Sequence, residues 1–413
     1  MKTLKTATKL APVLLLFLAS AFAMAAPPVV VPVRSADPGD TDFADLAALG
    51  ESIGGARIVM LGEQTHGDGA TLLAKTRVLK YLHERHGFDV LAFESGMYDL
   101  HAAQNLVEGG EKPSAAMAKA IFPVWADSDQ VRPLLAYLDA QAAAGSPLAL
   151  TGFDFQVSNE LGRDLPEALQ RQEGLVDSGG ALQRLGDLVG AVLKEGPAAV
   201  SGASLQSIGR DVATGRERLA ASDLPDAEYW RQMVASTGRL LVFLKRLPEG
   251  TAEVFNMRDA QMAANLEWLA ETAYPGRKII AWGATSHFVK DRTVLDVKTA
   301  QGMVPMGSLL AQKFGSQVYV LAFTAGGGKS ASYARRETIE WGAAPAGSIE
   351  DAIGKSGNDF AFLSSQMLSS SLPGKRTSWM LGFDPIPGLW PQAVDGIFYI
   401  RDMQPATYSA RSP

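Results

Sequence analysis

Apolar positions in this chain gather in short unbroken runs rather than alternating with polar ones. Arg57–Gly67, RIVMLGEQTHG, opens as such a run and closes on Gly62, Glu63, Gln64, Thr65, His66 and Gly67. Phe88–Gly96, FDVLAFESG, does the same and closes on Glu94, Ser95 and Gly96. A short continuous apolar run is the pattern of a strand buried on both faces. Between the two, Thr71–His86 carries Leu72, Leu73, Leu79 and Leu82 near helical spacing. The order is strand, loop, helix, strand; with the two strands as parallel neighbours, Glu63, His66 and Glu94 would all sit beyond strand C-terminal ends. Open α/β sheets hold their ligands there.

Further runs follow. Leu148–Phe153 ends in Asp154, Lys278–Trp282 is followed by His287, and Gln317–Thr324 leads into Gly326-Gly327-Gly328. Phe360–Leu363 and Gly396–Ile400 complete the strand set. From Val157 to Ala273 the texture changes. Leu, Val, Ala, Arg and Glu recur at helical spacing, with breaks at Asp177–Gly180, Glu195–Pro197 and Leu247–Gly250. Strands alternating with helices predict an α/β fold: a mainly parallel central sheet with flanking helices and an inserted all-helical cap. The expected boundaries are 26–156 for the first part of the core, 157–273 for the cap and 274–413 for the second part. Val29–Asp40 is expected to be an extended arm, and serine-rich Ser364–Gly374 a mobile loop.

The N-terminus adds an expectation about place. Lys2, Lys5 and Lys9 precede the apolar run Ala11–Phe22, and Ala23-Met24-Ala25 offers small residues for cleavage. This is a signal-peptide pattern over residues 1–25, implying export to the periplasm or beyond, with no membrane anchor after cleavage. Among 413 residues there is no cysteine, which excludes disulfides, thiol nucleophiles and thiolate metal sites. The formal charge is −6, and loss of the three leader lysines takes it to −9. So acidic a chain is a poor partner for nucleic acid.

Candidate chemistry is sparse. No G-x-S-x-G elbow is present, His83-Glu84-Arg85-His86 lacks H-E-x-x-H spacing, and GGGKS at Gly326–Ser330 has Phe323 where a phosphate loop needs glycine. Of five histidines, His83, His86 and His101 read as helix residues. His66 and His287 each follow a strand-like run, beside Glu63 and Glu94. A neutral imidazole can take a proton from water, and a carboxylate on its other nitrogen fixes the tautomer. A second histidine or a cation can steady a tetrahedral oxyanion. The same four side chains could instead bind a divalent metal. Sequence alone leaves both open.

At these residues the chain resembles the erythromycin esterase family. Gly62-Glu63-Gln64-Thr65-His66-Gly67 is similar to that family's G-E-x-T-H-G motif, followed by a helix with basic Lys75 and Arg77 and then by Phe93-Glu94-Ser95-Gly96. The likeness continues through Gly152–Gln156, Arg258-Asp259-x-x-Met262, Trp282–His287, Met306-Gly307, Gly347–Glu350 and Val394–Ala406. It implies a capped α/β core that hydrolyses a macrolide lactone with histidine-activated water and no metal or other cofactor. His66 would be the base, oriented by Glu63 and Glu94. His287 would assist catalysis, and Lys75, Arg77 and Arg258 would bind substrate. One motif departs: the family's W-x-H-N-x-H is here Trp282-Gly283-Ala284-Thr285-Ser286-His287. The expected partner is therefore a small-molecule ester or lactone, macrolide or not. A metal-dependent hydrolase or peptidase and a haem- or ligand-binding relative are the alternatives the wider superfamily implies.

Overall fold

A computed structural model describes residues 28–157, 159–297 and 301–408. The expected signal peptide lies outside them. The strands are β1 Val31–Val33, β2 Ile58–Glu63, β3 Phe88–Gly96, β4 Ala149–Asp154, β5 Lys278–Ala284, β6 Val318–Ala325, β7 Gly328–Ser332, β8 Glu337–Trp341, β9 Phe360–Ser364, β10 Arg376–Ser378, β11 Ile386–Gly388 and β12 Gly396–Ile400. Eight of them form one sheet in the order β1-β9-β12-β6-β2-β5-β3-β4. It is parallel from β12 to β4, and β9 and β1 are added antiparallel at one edge. The fold is thus a mixed α/β one with a mostly parallel central sheet.

The strands read as unbroken apolar runs because both faces are covered. In β2, Val59 and Leu61 join one apolar cluster while Ile58 and Met60 join the other. In β5, Ile280 and Trp282 face the first cluster, Ile279 and Ala281 the second. Leu72, Leu79 and Leu82 of helix Gly69–His86 close the first face. Met262 and Leu266 of helix Ala252–Trp268 help close the second.

Two expectations are corrected. β2 and β3 are parallel but not neighbours, because β5 lies between them and pairs with both. Ser365–Ser371 is a helix rather than a loop. Ser364 Oγ caps it by accepting the Met367 N–H, Ser369 and Ser370 return their hydroxyls to carbonyls one turn back, and Leu368 is buried.

Between β4 and β5 the described elements are all helical. Leu165–Val176, Ala181–Glu195, Leu205–Ala220 and Ala227–Arg246 share their own apolar cluster, in which Leu182, Leu185 and Val189 form a helical stripe against Ile208, Val234 and Leu241. The breaks have local causes: Asp177, Gly180 and Gly250 take left-handed backbone, and Ser204 and Thr251 cap the helices that follow.

Candidate active site

The C-terminal ends of β2, β3, β4 and β5 converge on one polar cluster. Two glycines permit the approach. A Cβ on Gly62 would come 2.6 Å from Thr285 Oγ1, and one on Gly67 1.7 Å from the Ala331 carbonyl oxygen. The first lets the exit from β5 run alongside β2. The second seats the loop after His66 beneath the β7–β8 hairpin, where the Ala331 N–H donates to the Gly67 carbonyl at 3.0 Å.

Glu63, at the end of β2, is fully buried. Its Oε1 lies 3.0 Å from His66 Nδ1 and accepts the Trp125 indole N–H at 3.1 Å. Its Oε2 is ion-paired with Lys75 Nζ. A carboxylate accepts, so His66 Nδ1 carries the hydrogen here and Nε2 is left as the basic nitrogen. Nε2 meets no hydrogen-bond partner among the described residues, and the His66 side chain is 39% exposed. Burial alone would lower the His66 pKa, but the Glu63 hydrogen bond and the Glu94 charge outweigh it and raise it above 6.5. Asp68 ties down the same loop by accepting from Thr65 N–H at 2.7 Å and Thr65 Oγ1 at 2.6 Å, and burial pushes its carboxyl up to about 7.

A second cluster adjoins the first. Pairing between β3 and β4 slips after Phe93, so Glu94 and Ser95 sit in an irregular turn of strand. Glu94 Oε2 accepts the Ala284 N–H at 2.9 Å, and Oε1 lies 3.0 Å from Arg258 Nη2 and 3.4 Å from His287 Nε2. Arg258 reaches in from helix Ala252–Trp268. It also donates to Asp154 Oδ2, from Nη2 at 2.6 Å and from Nε at 3.1 Å, and its Nη1 lies 3.3 Å from His287 Nε2. His287 Nδ1 is held by Asp259 Oδ1 at 2.8 Å, and that same oxygen accepts the Met306 N–H at 3.0 Å. Burial works against the Glu94 charge, but His287, Arg258 and His66 overcome it and bring the carboxyl down to about 2. Burial also opposes the His287 cation, which Glu94 and Asp259 favour, and the net shift is upward.

The expected site residues therefore divide. Glu63, His66, Glu94, His287 and Arg258 come together. Lys75 lies beneath them, wholly buried; besides Glu63 it donates to the Gly283 carbonyl at 3.2 Å and stands 4.1 Å over the Trp282 ring. It fixes Glu63 from below and presents no charge to a substrate. Arg77 is not in the site. Its guanidinium is buried against the N-terminal arm, donating to the carbonyls of Ser35 and Asp42 and to Asp45. Ser95 is fully buried, and its Oγ accepts the Phe122 N–H at 3.0 Å, a structural bond. Asp259, Asp154 and Trp125 were not singled out from sequence for these contacts. Asp154 could be flagged as an acid at a strand end, whereas nothing around Trp125 in the sequence signals its contact with Glu63.

The cluster can hold a proton acceptor beside a fixed cation. Among the described residues no group of three or more histidine, aspartate or glutamate side chains is placed to hold a metal ion. Lys75 sits on Glu63, and Arg258 sits between Glu94 and Asp154.

A capped α/β sheet with two carboxylate-held histidines at its C-terminal edge is the equipment of an acid–base enzyme. The model of the family named Erythromycin esterase matches residues 83–403, and the chain belongs to that family, as a hydrolase of the erythromycin esterase type. The matched stretch contains Glu94, Arg258 and His287 and begins after Glu63 and His66. YbfO of Bacillus subtilis (strain 168), which carries the provisional name of hydrolase, is 28% identical over 404 residues, covering 90% of each protein. Among solved structures, a Bacillus cereus protein superposes with a TM-score of 0.76 at 19% identity, over 92% of this chain and 97% of that one. A mutant of erythromycin esterase EreC in its open conformation gives 0.70 at 17% identity, over 93% and 99%.

Proposed function

We propose that the protein cleaves a carboxylic ester or lactone by direct attack of water, with His66 as general base. The observation that carries this is the bonding of His66: Nδ1 faces buried Glu63, while Nε2, on a partly exposed ring, meets no hydrogen-bond partner among the described residues. Nε2 takes a proton from water, and the resulting hydroxide adds to the carbonyl carbon. The oxyanion so formed is met by the Arg258–His287 pair. Collapse breaks the C–O bond, and the imidazolium returns its proton to the leaving alkoxide. Ser95, with its Oγ spent on Phe122 N–H, forms no acyl intermediate.

The substrate is a small molecule. The name of the EreC relative supports an ester or macrolactone, although Ala284 here supplies only a backbone N–H to Glu94 where the resemblance puts a second histidine. No cofactor enters this scheme, because the cations Lys75 and Arg258 occupy the carboxylates a metal would use. Residues 1–25 support export of the mature enzyme. The test is a panel of aryl esters, aliphatic lactones and macrolides run with wild type and His66→Ala. Hydrolysis by wild type that falls on the order of 10²–10⁴-fold in a folded variant supports the reading. Equal activity of the two on a confirmed substrate, or an acyl adduct trapped by mass spectrometry, overturns it.

A further inference from the structure

Trp125 lies far from both histidine motifs in sequence, yet it is fully buried against the first of them. Its indole N–H donates to Glu63 Oε1 at 3.1 Å, the oxygen that faces His66 Nδ1 at 3.0 Å. Its ring meets the imidazole edge-on, with centroids 4.8 Å apart and planes at 74°. The element that carries it is itself fixed from β3. Trp125 belongs to the short helix Pro123–Ala126, and the preceding Phe122 gives its N–H to Ser95 Oγ, next to Glu94. Phe93 packs against the indole at 5.8 Å and Phe122 stacks on it at 6.1 Å. The placement of this indole is therefore set by the strand that carries the second cluster.

The geometry points to Trp125 as a positioning residue for the reaction: by sharing Glu63 Oε1 with His66 and walling one side of the imidazole, it orients His66 and limits its basicity. This rests on the reading of His66 as the base. The physical argument is one of shared charge. A carboxylate oxygen that accepts two N–H groups gives less of its density to each. Removing the indole donor concentrates that density on His66 Nδ1, which favours the imidazolium. The other charged groups acting on His66 stay in place: Glu63 and Asp68 from its own strand and loop, Glu94 from β3 and His287 beyond β5. Lys75 and Arg258 stand one contact further away.

The test compares Trp125→Phe, which keeps an aromatic wall without a donor, with Trp125→His, which keeps an N–H. The His66 imidazole is titrated by NMR in the full-length mature protein, and kcat and KM are read against pH on an ester that wild type hydrolyses. In Trp125→Phe the His66 midpoint should rise by about half to one pH unit, with the Nδ1–H tautomer retained. In the same variant kcat should fall roughly 2- to 10-fold with KM held. Trp125→His should recover part of each. A His66 titration unchanged in Trp125→Phe overturns the proposal, whatever happens to stability. If Phe does not fold, benzothienylalanine at position 125 removes the N–H alone and is read the same way. Because the titration needs no substrate, a protein that hydrolyses no ester refutes the esterase reading and leaves the indole test intact.

Discussion

Replacing Arg258 with methionine should break the tie between helix Ala252–Trp268 and the ends of β3 and β4 at a calculable cost. Arg258 joins Glu94 at 3.0 Å and Asp154 at 2.6 Å, and both carboxylates are buried. Methionine keeps the apolar stem and removes the charge. Glu94 is held at about 2 against an ordinary 4.5, which stabilises the fold by about 3 kcal/mol at neutral pH. Arg258 provides part of this together with His287 and His66, and Asp154 loses its cation as well. Breaking a buried pair from one side costs about 3–5 kcal/mol, so Arg258→Met should lose about that much at pH 7. A lowered carboxyl stabilises above its unfolded pKa and ceases to do so as pH falls through its folded one. The gap between wild type and variant should therefore be full above pH 5 and narrow as pH falls from about 4.5 to about 2. Urea unfolding followed by tryptophan fluorescence at pH 7, 5 and 3 measures it. A loss below about 1 kcal/mol at pH 7, or a gap that stays constant down to pH 3, would refute the reasoning, since exposed pairs contribute no more than that. Glu94→Gln in the Arg258→Met background should restore part of the loss, as contacting charges couple in double-mutant cycles.

Lys75→Met should destabilise the fold by about 3–5 kcal/mol, because Glu63 would stay buried without its cation; chemical denaturation checks this, and a variant as stable as wild type contradicts it. Activity should rise with pH as His66 deprotonates, with a midpoint above 6.5 because Glu63 and Glu94 favour the cation; a pH–kcat/KM profile whose rising limb lies below 6 contradicts this. Ser95→Ala should keep catalysis within about tenfold of wild type while losing about 1 kcal/mol of stability with the Phe122 bond, a split visible in paired kinetic and thermal measurements. Export, as proposed, should leave a mature chain beginning near Ala26, which N-terminal sequencing of the purified product reads directly.

The sheet was legible because burial on both faces leaves unbroken apolar runs, and Lys278–Trp282 and Gln317–Thr324 fall within two residues of β5 and β6. Glu63, His66, Glu94 and His287 could be found because polar groups following such runs stand at the strand ends. Strand order was less legible, since an apolar run does not say which strand it will pair with. Arg77 was misplaced although its spacing carried a warning: two residues apart on a helix is about 200° of rotation, so Lys75 and Arg77 face opposite sides. Trp125 and the Asp259–His287 bond depend on tertiary approach alone. The helix after Ser364 was hidden by serines, which favour turns unless one of them caps and a buried leucine anchors the turn, as Leu368 does here.

The position of β5 has a consequence for how the chain is made. It pairs with β2 and β3, yet it is synthesised only after the whole cap has followed β4. A nascent chain ending before Lys278 has neither neighbour of β2, since β5 and β6 both come later, and leaves one edge of β3 open, so rows of N–H and C=O groups lack their strand partners. Open edges of that kind recruit other chains. Fragments stopping near Ala273 should therefore aggregate rather than form a stable half-sheet, and folding should be slowed by the long-range pairing of β2 with strands made more than 200 residues later.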